Sequence, residues 1–169
     1  MSLLLLLPLA VFVTALIYAA ISDASSMIIS NKICLVVMLA FAASVPLSWV
    51  GWGVFGEHML VGLVFFLVGF VLFAVGGLGG GDAKLMAAIG LFWTWPDAAA
   101  FVIYVTLYGG ALALFLMIGR NVMPVSVSTN GLVAKMFATE KKMPYGIALA
   151  LGAMTVLPTS DIVQRAFGG

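Results

Sequence analysis

Six apolar stretches follow one another along the chain: Leu3 to Ile21, Ile33 to Val50, Met59 to Val75, Ala83 to Trp95, Ala98 to Gly119 and Tyr145 to Leu157. The breaks between them carry polar residues, glycine or proline, at Ser22 to Lys32, Gly51 to His58, Gly76 to Gly81, Thr94 to Asp97 and the longer Arg120 to Pro144. Runs approaching 20 apolar residues with few charges predict helices that cross a bilayer. The expectation is therefore an all-α integral membrane protein, a bundle of six transmembrane helices. With 169 residues, six such spans leave little chain outside the membrane, so residues 1–169 read as one domain. Ala19 and Ala20 after an apolar stretch suggest a signal peptide, but no Lys or Arg precedes the run. That favours an uncleaved first span whose N-terminus lies outside.

Composition agrees with this picture: 64% of residues are apolar and 8% charged. A net charge of +1 offers no basic stripe for a nucleic-acid partner. Cys34 is the only cysteine, which excludes an intrachain disulfide and a thiolate metal cluster and leaves it a packed apolar residue. Positive charge then orients the bundle. Lys32, Lys84, Arg120, Lys135, Lys141 and Lys142 fall on one side of a six-span arrangement and Arg165 on the other, so the first side is expected to face the cytoplasm and both termini the outside. Trp49, Trp52, Trp93 and Trp95 gather at the opposite turns, as in an aromatic belt at the outer interface.

The fourth stretch is short. Its thirteen residues span roughly 20 Å, against a hydrocarbon core of about 30 Å. With Trp93 and Trp95 at one interface, its start would lie within the other. Non-helical backbone at that depth is tolerated only inside protein or beside a water-filled cavity, so the run Gly76-Gly77-Leu78-Gly79-Gly80-Gly81 predicts a wet pocket. Asp82 follows this run, and Asp23 ends the first stretch, which brings both acids towards the cytoplasmic face. Ionisable groups at membrane depth mark function by default. Two plainer roles stay open: Asp82 as a helix N-cap and Asp23 as an interfacial residue that ends its helix. Five glycines exceed what a cap needs, and an extended substrate strand laid beside them would account for the excess.

Gly79-Gly80-Gly81-Asp82 fits the Gly-x-Gly-Asp signature of intramembrane aspartyl proteases, and its continuation through Ala83, Lys84, Leu85 and Gly90 resembles the type IV prepilin peptidases. Asp23 followed by Ile29-Ser30-Asn31 is similar to that family's first catalytic aspartate and its Ile-Pro-Asn. Met143-Pro144-Tyr145-Gly146 resembles its Pro-Tyr-Gly segment. The resemblance runs from about Leu9 to Leu157. Ser30 replaces the usual proline, which alters how rigidly the second span begins. The N-terminal cytoplasmic region with paired cysteines that accompanies N-methylation in larger members has no counterpart here, so methyltransferase activity is not expected. The short form is similar to the peptidases of Flp-type, tight-adherence pilus systems and to archaeal preflagellin peptidases, with the bacterial Flp-type reading favoured.

The resemblance implies an aspartic endopeptidase of the bacterial inner (cytoplasmic) membrane, without cofactor or metal. Its substrates would be prepilins, cut on the cytoplasmic side between a short basic leader and an apolar helix, with membrane lipid as the other partner. Asp23 and Asp82 would be the catalytic pair. Gly79, Gly80, Gly81, Lys84, Asn31, Pro144, Tyr145 and Gly146 would form the substrate-binding loops. Two carboxylates held close cannot both ionise easily, so such a pair shares a proton, one member activating water and the other protonating the leaving group. The pair titrates as a unit, and the helix N-terminus would favour the charge on Asp82.

Rival chemistries find less support. His58 is the only histidine, so no His-Glu-x-x-His zinc site exists, and beside Glu57 in an outer turn it is expected to be solvated. Gly-x-Ser-x-Gly is absent, and Lys84 does not complete a phosphate-binding loop. Two positions beyond Asp82, Lys84 lies on another helix face, which leaves snorkelling to headgroups or contact with substrate. Within Arg120 to Pro144, Leu132, Val133, Met136 and Phe137 alternate with Lys135, Lys141 and Lys142. That mixture suits an amphipathic helix on the inner leaflet, either a connector or a substrate gate. The remaining alternatives are a cation-binding transport subunit and a non-catalytic assembly protein in which the acids cap helices.

Overall fold

The computed structural model describes residues 2–49, 51–122 and 143–167. The connector expected to hold an amphipathic helix falls almost wholly on 123–142 and lies outside the described residues. The described chain is helical: α1 (Ser2–Ser26), α2 (Asn31–Ser44), α3 (Gly51–Ala74), α4 (Gly80–Gly90), α5 (Trp95–Val122), α6 (Tyr145–Val156), a 3₁₀ turn (Leu157–Thr159) and α7 (Asp161–Phe167). Each of the six apolar stretches thus forms a helix. Four segments are long and apolar enough to cross a membrane: Leu4–Ser26, Gly51–Ala74, Trp95–Gly119 and Tyr145–Gln164. α2 and α4, with 14 and 11 residues, are not.

α4 sits at the centre, packed against α3, α2 and α6, while α1 closes on α2 and α6 and α5 lies against α6. Apolar lipid gives helices no hydrophobic reason to associate, so close packing at small residues has to supply the attraction. The α3–α4 contact shows how. A Cβ on Gly69 would lie 3.1 Å from the Ala83 carbonyl oxygen and 3.2 Å from its Cα, and one on Gly90 would come 2.7 Å from the Phe65 ring. At Gly69 backbone meets backbone, and at Gly90 backbone meets an aromatic ring. The opposite faces of α3 and α5 expose Phe66, Phe70, Leu107 and Leu114, as suits contact with lipid.

Helix ends differ from the sequence reading where the chain satisfies its own polar groups. α1 continues past Asp23 to Ser26 because the hydroxyls of Ser25 and Ser26 bond back to the Ser22 carbonyl at 3.1 and 2.7 Å. It stops at Met27, whose φ of 55° lies in the left-handed region. α3 ends in a Schellman motif: Gly76 takes φ 78°, its N–H donates to the Phe73 carbonyl at 3.0 Å, and Gly77 donates to Leu72 at 2.8 Å.

Two residues expected at the outer interface are inside. α3 begins at Gly51, so His58 is already helical and is buried 5.7 Å from the Phe41 ring. Its imidazole lies beside the Leu91 backbone, yet neither nitrogen meets hydrogen-bond geometry with a described residue. Trp93 is fully buried because α4 stops at Gly90 and the following turn folds the indole between Phe12 and Phe101, at 6.3 and 6.0 Å. Trp49, Trp52 and Trp95 do stay exposed, and the first two pack edge to face at 5.1 Å.

Gly69→Ala is expected to destabilise the bundle by about 1–3 kcal/mol, because its neighbour is backbone that cannot turn aside. Gly110→Ala has open space around it and is expected to be neutral or slightly stabilising. Thermal unfolding in one detergent compares them, and equal midpoints would contradict this account of the α3–α4 contact.

Candidate active site

The glycine run, read from the structure upward, is consumed by neighbours within the chain. Gly79 is the N-cap of α4, with φ −69° and ψ 145°, so Asp82 is the third helical residue and not the cap. Its carboxylate folds back on the Gly79 backbone amide. That leaves so little room that a Cβ on Gly79 would sit 2.6 Å from Asp82 Oδ2. Gly80 lies under the Phe73 ring, where a Cβ would be 3.1 Å away. Gly81 faces Ile29, whose Cβ, carbonyl oxygen and amide nitrogen would lie 3.0, 3.1 and 3.3 Å from an added Cβ. At Gly81 the segment that comes this close is the chain's own α1–α2 linker.

Asp23 reaches the same place from the last turns of α1. Its Oδ2 accepts a 2.7 Å hydrogen bond from the Gly146 backbone N–H in the first turn of α6. A Cβ at Gly146 would sit 2.9 Å from that oxygen, 3.0 Å from Asp23 Cβ and 3.0 Å from Ile29 Cδ1, so only glycine lets the carboxylate close on the amide. Pro144 precedes Tyr145, the first residue of α6, and acts as its N-cap. The Pro-Tyr-Gly segment thus serves as a helix start that offers a free N–H to an anion.

Asp23 and Asp82 are 3% and 7% exposed and line one cavity of about 620 Å³. Its other walls are Met27 to Ile29, Phe73, the loop from Gly76 to Gly81, Met143 and Tyr145. The pocket expected behind the glycine run is therefore present. The two carboxylates lie within electrostatic reach of each other. They are placed unequally: Asp23 is held by the Gly146 amide, whereas Oδ1 of Asp82 is buried with no hydrogen-bond partner among the described residues. No cluster of three or more His, Cys, Asp or Glu able to hold a metal occurs among the described residues.

Lys84 and Asn31, the two remaining loop residues, do not line the cavity. The Lys84 ammonium donates a 2.9 Å hydrogen bond to Asn31 Oδ1 and so ties the first turn of α4 to the start of α2. Ser30, where proline was expected, caps α2 by accepting from the Lys32 N–H at 3.3 Å. Sequence reasoning missed Met27, Ile29 and Phe73 as parts of the site. Ile29 was visible only as a motif letter, and the other two carry no signal without the fold.

Residues 10–114 match the model of the type IV leader peptidase family, a span that takes in both aspartates, Asn31, the glycine run and Lys84. The chain belongs to that family. It is also 32% identical to the prepilin leader peptidase/N-methyltransferase of Bacillus subtilis, over 94% of this chain and 58% of that protein. This family member therefore spans well under two thirds of that relative's length. No solved structure matches it. Pro144, Tyr145 and Gly146 lie beyond the matched span, and the 2.7 Å bond from Gly146 to Asp23 connects them to it.

A double-mutant cycle on Lys84→Met and Asn31→Ala should return a coupling of about 0.5–1 kcal/mol in thermal or denaturant unfolding, the range for one solvent-accessible hydrogen bond. Strictly additive effects would show that the α2–α4 tie carries no energy.

Proposed function

We propose that this chain is an intramembrane aspartyl endopeptidase that removes the short basic leader from type IV prepilins, with Asp23 and Asp82 as its catalytic dyad. The observation that carries the proposal is the convergence of two buried carboxylates, from α1 and α4, on one cavity in a member of the type IV leader peptidase family. Family membership supports the peptidase class. The name of the Bacillus subtilis relative supports prepilin as the substrate.

The mechanism follows from elementary carboxyl chemistry. One carboxylate accepts a proton from water as the water oxygen bonds to the scissile carbonyl carbon. The other, protonated, carboxyl hydrogen-bonds the carbonyl oxygen, and the tetrahedral intermediate collapses as the leaving nitrogen takes a proton from the dyad. Water attacks directly, so no acyl-enzyme forms. Asp23 Oδ2 is occupied by the Gly146 amide, which orients that carboxylate and leaves its other oxygen for the reaction. Asp82 Oδ1, buried and without a hydrogen-bond partner among the described residues, is the oxygen of that carboxyl left unengaged, and either acid can take either role. The glycine loop and the Tyr145 side chain form walls against which an extended peptide would lie.

Three finer points complete the proposal. The substrate is a Flp-type prepilin, the protein resides in the bacterial inner membrane, and the dyad opens to the cytoplasm with both termini outside. The placement of Lys32 and Lys84 at the dyad end of the bundle supports the orientation through the positive-inside tendency.

Co-expression with candidate prepilins, followed by mass spectrometry of the mature N-terminus, tests the reading. Asp23→Asn and Asp82→Asn, at normal protein levels, should each lower cleavage by about 10²-fold or more. Undiminished cleavage by both variants would eliminate the dyad. Absence of cleavage by the parent chain with every prepilin offered would favour a non-catalytic membrane subunit.

A further inference from the structure

We infer that Ile29 is a positioning residue whose side chain sets the separation of the two aspartates. Ile29 is buried, lines the cavity and lies between the glycines that adjoin each acid. On one side its backbone and Cβ press on Gly81, the residue before Asp82. On the other, Cδ1 points at Gly146, where it converges with Asp23 Oδ2 on the space that a Cβ would fill. Since Gly146 also holds Asp23 by its 2.7 Å hydrogen bond, whatever spaces α6 from α4 spaces Asp23 from Asp82.

The linker is braced for this role on both flanks. The Ser22 hydroxyl donates to the Ile28 carbonyl at 2.7 Å, which fastens the linker to the helix of Asp23. Lys84 donates to Asn31 at 2.9 Å, which fastens it to the helix of Asp82. An isoleucine held at both ends between two bare backbones acts as a fixed spacer: α-helix starts on either side can approach no closer than its side chain permits. Close packing makes even one methyl matter in such a place. Ile29→Val removes Cδ1, the atom facing Gly146, and keeps the contact with Gly81. Ile29→Ala removes the rest of the side chain beyond Cβ. In both variants α6, carrying Asp23 with it, is expected to move towards α4.

The catalytic consequence rests on the dyad proposed above, whereas the spacing does not, so two readouts separate them. With Leu78→Cys and Met143→Cys, two cavity-lining positions just before α4 and α6, in a Cys34→Ser background that keeps both aspartates and the Gly146 bond, bifunctional methanethiosulfonates of graded length report the spacing of the two helix starts. The shortest reagent that crosslinks efficiently should become shorter in Ile29→Val and shorter again in Ile29→Ala. In the chain with both aspartates intact, kcat for prepilin cleavage should fall about tenfold or more while KM changes less than about twofold, because misplacement of reacting groups by 1 Å can cost about 10²-fold. Ile89→Val, an equal deletion in the last turn of α4, should leave both readouts unchanged. An identical reagent profile for Ile29 and Ile29→Val overturns the inference, whether or not the chain cleaves prepilin. If Ile29→Ala does not accumulate, the Ile29→Val profile decides.

Discussion

Backbone approaching backbone without an intervening Cβ is the constraint on which this bundle depends. α4 has only 11 residues, far fewer than a bilayer requires, and it is buried among α2, α3 and α6. In lipid, where burial of apolar surface earns nothing between helices, such a short central helix is retained by dispersion contact at small residues and by hydrogen bonds. Gly69 and Gly90 bring α3 against it, Gly81 admits the α1–α2 linker, and Gly146 lets α6 reach the Asp23 carboxylate. Gly69, Gly81 and Gly146 have backbone or a carboxylate where a side chain would be, and Gly90 has the Phe65 ring, so these contacts leave little room for lateral displacement.

The same economy explains how two acids come to rest inside a membrane protein. A buried carboxylate needs hydrogen-bond donors, and the least bulky ones are backbone amides at helix starts. Asp23, late in α1, uses the start of α6, and Asp82, early in α4, turns to the amide that opens its own helix. One acid is therefore held across the bundle and the other locally. The carboxylate with an unengaged buried oxygen is the locally held one, so the two acids are held asymmetrically.

Much of this was legible in the chain. Asp23, Asp82 and the glycine run stood out because acids and clustered glycines are rare among apolar stretches, and Tyr145-Gly146 stood out through the resemblance to the type IV prepilin peptidases. The reasons for the glycines were not legible, because a glycine records that something comes close without saying what. A substrate strand was expected beside the glycine run, and at Gly81 the close neighbour is Ile29 of the same chain. His58 and Trp93 were misplaced for a related reason. Polar character and proximity to a turn suggested the interface, but α3 starts earlier than its hydropathy suggests and the short α4 draws its following turn into the core. Lys84, read as facing lipid or substrate, is exposed and also donates to Asn31 of a helix remote in sequence, a contact no local spacing predicts.

The sequence alone determined the helical class, the six apolar segments and the identity of the acids, because these follow from the one-dimensional alternation of apolar stretches with charge and glycine. Only the tertiary structure decided that Asp23 is held by Gly146, that Ile29 stands between the two halves of the site, and that His58 and Trp93 are interior. Those facts depend on which helices neighbour which and how near they come. That nearness is set by the sum of many Cβ-free contacts between distant segments, a quantity no local window of residues contains.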